Sequence, residues 1–150
     1  RHKTRPETLL DLGCGYGYLS VEASHHGFKQ ITATDNNAAA LAATAFNFKG
    51  FDIDTQVIAG DAGDQIDQRF DTVLCNPPFH QGFAIDGDMS VKFLSATKRL
   101  VASTGQALFV VNTFIPLEQK AKAYFRYIEV LANNGSFKLV ALSQHEPKRG

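Results

Sequence analysis

With 150 residues, 44% hydrophobic and 20% charged, the chain has the size and composition of one soluble globular domain able to bury a core. Its 15 Lys and Arg balance its 15 Asp and Glu, which excludes a global field drawing it to nucleic acid or to a membrane surface. No apolar run is long enough for a membrane span and nothing resembles a signal peptide, so the expected location is the cytoplasm.

In chain order, the basic cluster Arg1, His2, Lys3 and Arg5 reads as a solvated tail, as do Lys148 and Arg149 at the other end. The chain opens on Arg1, and a strand-like run follows almost at once, which suggests a piece of a longer protein. Short runs rich in branched and aromatic residues at 8–12, 30–34, 55–59, 70–75 and 107–111 predict strands. Between them, 18–26, 38–48 and 89–101 carry the alanines, leucines and lysines of helices. Asn36 or Asn37 can cap the second helix and Asp86 or Asp88 the third, while Gly27 and Gly50 fall where helices end. Strand and helix in alternation predict an α/β fold with a parallel sheet and helices on both faces. The tail departs from that rhythm: 127–132 and 137–143 flank Asn133-Asn134-Gly135 and predict a closing antiparallel β-hairpin. Cys14 and Cys75 lack zinc-site spacing and are too few for a disulfide framework, so they read as buried or half-buried thiols in a reducing compartment.

The first strand runs into Gly13-Cys14-Gly15-Tyr16-Gly17, a turn that lets backbone approach a ligand and opens a helix whose first N–H groups are free. Many α/β folds have such a turn, and a tight turn without ligand is the plain alternative. A dinucleotide fingerprint would place its third glycine at position 18, which is Tyr18. Asp11, a carboxylate just before the turn, suits an amino-acid moiety better than a pyrophosphate. At the end of the second strand, Asp35 can accept hydrogen bonds from both hydroxyls of a ribose or, in the bland reading, cap a helix. Asp61 and Ala62 follow Gly60 after the third strand, where a carboxylate can meet an adenine amino group. An Asp beside Gly is also a common turn residue, and Asp64 and Asp67 compete for the role.

The most specific element closes the fourth strand: Asn76-Pro77-Pro78-Phe79-His80. Two prolines fix φ and remove donors, which holds the backbone extended with its carbonyls outward. The Asn76 side-chain oxygen and the Pro77 carbonyl can each accept one N–H of an exocyclic amine, and Phe79 can stack on the ring bearing it. Two acceptors favour a pyramidal nitrogen and stabilise the positive charge of attack, so no strong general base is needed. The alternative is a rigid loop with an exposed Phe. His80 can help shed the proton, contact substrate or fill the loop, and Gly82 and Gly87 bracket a candidate lid over 81–88.

Together these motifs resemble the class I S-adenosylmethionine-dependent methyltransferases of the methyltransferase small domain family. Within it they are most similar to the ribosomal RNA guanine-N2 methyltransferases, and the likeness runs from about Thr8 to Ser143. The resemblance implies a Rossmann-like seven-stranded sheet, mostly parallel with a C-terminal antiparallel hairpin. It implies S-adenosylmethionine held by Asp11, Gly13, Cys14, Gly15, Tyr16, Gly17, Asp35, Asn36, Asp61, Ala62 and Asn76, with no metal. Asn76, Pro77, Pro78 and Phe79 then form the catalytic motif, followed by His80 and Gly82 as in the family's pattern. The implied partner is RNA, as ribosomal RNA or a ribosomal subunit, with no membrane. Residues 1–150 would be a single catalytic domain from the C-terminal part of a longer chain, whose preceding domain helps bind substrate. Three alternatives remain open: methylation of adenine N6, methylation of a protein glutamine amide, and a cofactor-binding but catalytically silent module. A nicotinamide dehydrogenase is disfavoured by Tyr18 and the hairpin.

Overall fold

The computed structural model describes residues 8–12, 30–35, 54–60, 63–77 and 87–146. Seven strands form one sheet: β1 (Thr8–Leu12), β2 (Gln30–Asp35), β3 (Asp54–Ala59), β4 (Phe70–Cys75), β5 (Val101–Asn112), β6 (Tyr127–Asn133) and β7 (Phe137–Ser143). Their order is β3-β2-β1-β4-β5-β7-β6. The pairs from β3 through to β5 are parallel, and β7 runs antiparallel to both β5 and β6. This is the mostly parallel sheet with an antiparallel close that the sequence predicts.

Two helices are described, α1 (Gly87–Leu100) and α2 (Leu117–Ala121). In α1, Phe93, Leu94, Ala96, Thr97 and Leu100 are buried, an apolar stripe at helical spacing, while Val91, Lys92, Ser95, Lys98 and Arg99 are exposed. The stripe packs with Leu117 and Ala121 of α2 on Leu10, Leu12, Val73, Cys75, Phe109 and Leu142, so the main core lies on one face of the sheet. Leu9, Ile31 and Ala33 are buried on the other face by strand alternation. Among the described residues, no helix is long and apolar enough to cross a membrane.

Strands β2, β3 and β6 differ by one residue from their predicted bounds, and α1 and β5 differ by more. Helix α1 begins at Gly87, so Asp88 lies in its first turn rather than ahead of it, and the candidate lid loses its last two residues to the helix. Val101, predicted as the last helical residue, starts β5, which extends six residues ahead of the predicted run. Those residues join the sheet because Val101 pairs with Phe70 and its carbonyl accepts a hydrogen bond from Arg69 (2.9 Å). A Cβ at Gly105 would stand 2.5 Å from the Asp71 carbonyl oxygen, so glycine is what lets β5 pass its irregularity against β4. The sequence reading contains no helix at α2. The predicted helices at 18–26 and 38–48, the caps Asn36, Asn37 and Asp86, and both terminal basic clusters lie outside the described residues.

Candidate active site

Parallel strands bring their carboxyl ends to one edge of the sheet. Leu12 is in register with Thr34 on one side and Cys75 on the other, so the residues that follow β1, β2 and β4 emerge side by side. Asp35 pairs with Ala59, and the Gly60 N–H donates to the Asp35 carbonyl (3.0 Å), which brings the end of β3 to the same edge. From β1 the chain runs outward through β2 to β3, then returns to β1's other flank for β4 and β5. The order therefore reverses between β1 and β4. In open α/β sheets that switch point leaves a crevice outside the carboxyl ends, where ligands bind.

Four of the sequence-predicted site residues lie within the described structure, and all four are on this edge or one residue below it. Asp11 is fully buried in β1, and Asp35 is half-buried as the last residue of β2. Asn76 is exposed directly after β4, and Pro77 is buried behind it. That pairing anchors the segment at the proline and leaves the amide outside. Gly13, Cys14, Gly15, Tyr16, Gly17, Asn36, Asp61, Ala62, Pro78 and Phe79 lie outside the described residues, as do His80 and Gly82.

The electrostatics of the crevice are set by buried carboxylate. Burial, reinforced by the negative charge of Asp11, pushes the Cys75 thiol well above its ordinary range. A thiol so held is not a nucleophile near neutral pH, which removes covalent catalysis by Cys75. Carboxylates on β1 and β2 repel a pyrophosphate and can accept from an ammonium or from hydroxyls. The donor set at this edge therefore fits an aminoacyl nucleoside, with Asp35 suited to ribose hydroxyls and Asp11 to the amino-acid end. Among the described residues, no group of three or more His, Cys, Asp or Glu is placed to hold a metal ion.

Two supports were not read from the sequence. Arg99, in the last turn of α1, donates through Nη1 to the Ile66 carbonyl (2.8 Å) and through Nη2 to the Gly63 carbonyl (3.0 Å). Gly63 lies directly after the predicted Asp61-Ala62 turn and has φ of 72°, so Arg99 secures the chain where it leaves that turn. A basic residue at a helix end is common enough that only the fold reveals its target. At the opposite edge, the Asp71 carboxylate accepts from the Thr8 N–H (2.9 Å) and the Thr8 hydroxyl (3.2 Å), tying β4 to β1.

Residues 2–141 match the family described as the methyltransferase small domain. Ribosomal RNA small subunit methyltransferase C of Escherichia coli is 32% identical over 144 residues, covering 95% of this chain and 42% of that protein. The protein of the same description from Escherichia fergusonii has the same identity and coverage. The chain thus spans about two fifths of the length of the curated relatives it matches. Among solved structures, a T. thermophilus 16S rRNA N2 methyltransferase in complex with AdoMet and guanosine is similar with a TM-score of 0.85 at 23% identity. That similarity covers 94% of this chain and 38% of the other. A ribosomal protein L11 methylase from Lactobacillus delbrueckii subsp. bulgaricus has a TM-score of 0.75 at 19% identity, over 97% of this chain and 74% of its own. At such identities the two solved structures speak for the fold.

Proposed function

The chain belongs to the methyltransferase small domain family, and on that premise we propose that it transfers a methyl group from S-adenosylmethionine to an exocyclic amine, N2 of a guanine in ribosomal RNA. The observation that carries the reading is the register of β1 and β4. Leu12, the last residue before the glycine-rich run, is in register with Cys75, the last before Asn76-Pro77, so the chain leaves neighbouring strands at the switch point toward both motifs. A donor held at the first and an amine held at the second would meet across one strand spacing, about 4.8 Å. The curated relatives support guanine N2 and ribosomal RNA by their description and their 32% identity.

In this reading Asp11 and Asp35 bind the amino-acid and ribose ends of the cofactor, and Gly13 to Gly17, Asn36, Asp61 and Ala62 complete its cradle. S-adenosylmethionine, when bound, would supply a methyl group on a sulfonium sulfur, the S–CH3 bond breaking with its electron pair left on sulfur to give S-adenosylhomocysteine. The Asn76 side-chain oxygen and the Pro77 carbonyl accept the two N–H groups of the amine, and Phe79 stacks on the base. The target guanine is turned out of its stack to reach them. These acceptors turn the nitrogen lone pair toward the methyl and stabilise the charge that develops on nitrogen. The proton leaves to water after transfer, so the site needs no general base.

The test is transfer of labelled methyl by the full chain to ribosomal RNA, small ribosomal subunits and free guanosine, with nucleoside mass spectrometry of the product. N2-methylguanosine is the expected product. Asn76→Ala should lower kcat by about 10²–10³ with the fold intact. Label found only in adenine N6 or in a glutamine amide would replace the guanine reading. Turnover unchanged in Asn76→Ala would remove Asn76 from the site.

A further inference from the structure

A second feature lies at the far edge of the sheet. Between the C-terminal end of α1, the segment after α2, the start of β6 and the end of β7 lies an open groove of about 710 Å³. Lys98, Lys122, Arg126, Tyr124, Ile128 and Gln144 line it, with no carboxylate among its described lining residues. Lys98, Lys122 and Arg126 are exposed, and none of them is in an ion pair among the described residues. Glu129, the nearest acid in sequence, follows Ile128 on β6 and so points to the opposite face of the sheet. In a chain whose charges balance overall, three unpaired cations around one depression are a local feature and not the by-product of a basic protein.

The groove also carries what a nucleotide strand uses besides charge. The Tyr124 side chain stands in its wall. Gln144 donates through Nε2 to the Tyr124 carbonyl (2.6 Å), which fixes that wall to the end of β7. The groove is joined to the candidate active site by α1. This helix returns from the carboxyl edge of β4 to the amino end of β5, a span of roughly 21 Å at 1.5 Å per residue. Lys92, Ser95, Lys98 and Arg99 are exposed along it, and Asp88 in its first turn is its one acidic residue.

We propose that this groove binds the phosphodiester backbone of single-stranded RNA flanking the methylated base, with α1 as the track between the two. Lys98, Lys122 and Arg126 contact phosphates there, and Tyr124 offers a face for a neighbouring base. The proposal rests on the RNA reading of the preceding subsection and adds a contact surface remote from the base pocket. An acidic protein segment is the other occupant such charge would suit. The excess of basic over acidic side chains along α1, Lys92, Lys98 and Arg99 against Asp88, favours a strand that also reaches the crevice.

The test is equilibrium binding of the full chain to a single-stranded RNA carrying the target segment, followed by fluorescence anisotropy across a KCl series. For single strands the log–log salt slope changes by about 0.7 per phosphate contact, so Lys98→Gln, Lys122→Gln and Arg126→Gln combined should make it shallower by about 2. The three side chains are exposed, and the charge-keeping set Lys98→Arg, Lys122→Arg and Arg126→Lys should restore the slope. In methyl transfer the triple Gln variant should raise KM for the RNA and leave kcat and the activity on free guanosine unchanged. An unchanged slope, no RNA binding by the parent chain, or binding of an acidic peptide in its place would overturn the proposal. Retained RNA binding without methyl transfer would overturn the catalytic reading alone.

Discussion

Asn76 and Pro77, the acceptor pair of the proposed reaction, divide exposure and burial between them. The proline is packed and the asparagine is exposed beside it, so the amide is held by its neighbour and by β4 rather than by contacts of its own. Arg99 does comparable work from a distance. Its guanidinium spans the Ile66 and Gly63 carbonyls, 2.8 and 3.0 Å away, on the segment that follows the predicted Asp61-Ala62 turn. Hydrogen bonds from a charged donor contribute about 1.5–3 kcal/mol when desolvated, and the exposure of Arg99 places it at the low end. Arg99→Met should therefore cost about 1.5 kcal/mol in a urea titration. It should also weaken S-adenosylmethionine binding in calorimetry. Arg99→Lys should recover only part of both, because one ammonium cannot bridge two carbonyls as the planar fork does. A full loss of binding with unchanged stability would mean that Arg99 touches the ligand and does not act through the turn.

At the scale of elements, two glycines separate two kinds of constraint. Gly135, with φ of 93°, faces open space, so Gly135→Ala should cost only the left-handed backbone, about 1–2 kcal/mol. Gly105→Ala places a methyl 2.5 Å from a carbonyl oxygen of β4 and must push strands apart, so its urea midpoint should fall further than that of Gly135→Ala. Helix α2 is tied to β7 by Lys138 and Glu118, 2.6 Å apart with Lys138 buried. Burial raises the Glu118 pKa, but the hydrogen bond and charge of Lys138 outweigh it and hold the carboxyl below its ordinary range. A lowered folded pKa means that this stabilisation is present above the unfolded value, about 4.3, and is lost as pH falls through the folded one. Because Glu118 is 37% exposed, the term should stay below about 1 kcal/mol. The stability difference between the parent and Glu118→Gln, from urea titrations near neutral pH and in acid, should shrink toward acid; a constant difference would rule the ion pair out as its source. These elements also mark what the sequence conveys. Strands β1 to β4 are legible as branched runs, and β6 and β7 from the Asn-Gly turn, whose Asn134 side chain accepts from Ser136 and Phe137. The first six residues of β5 are small and polar, and become strand only by pairing. Helix α2 has five residues and no side-chain cap, too short for a period to show, and it is held by burying Leu117 and Ala121. At the site, the residue types are legible, but that β1 lies between β2 and β4 is a property of the sheet.

The whole sheet has one consequence that none of its parts has alone. Residues far apart in sequence share an edge because β1 sits at the point where the strand order reverses, and the proposed function assigns the donor side to β1 to β3 and the acceptor side to β4. The two halves should then be separable by experiment. A ligand that binds only the folded state stabilises it by mass action, about 2.7 kcal/mol at a hundred times Kd. For a domain of this size that is roughly 5–10 °C in melting temperature, since each kcal/mol is worth about 2–4 °C. Saturating S-adenosylmethionine should therefore raise the melting temperature of the parent chain by about that amount. Asp35→Ala, at the end of β2, should remove the shift and the transfer together. Asn76→Ala, across β1 on the acceptor side, should keep most of the shift while losing the transfer. If both variants lost the shift equally, Asn76 would belong to the cofactor cradle before anything else. The amine would then be left with the Pro77 carbonyl as its one acceptor in the proposed pair, a group that no side-chain substitution removes.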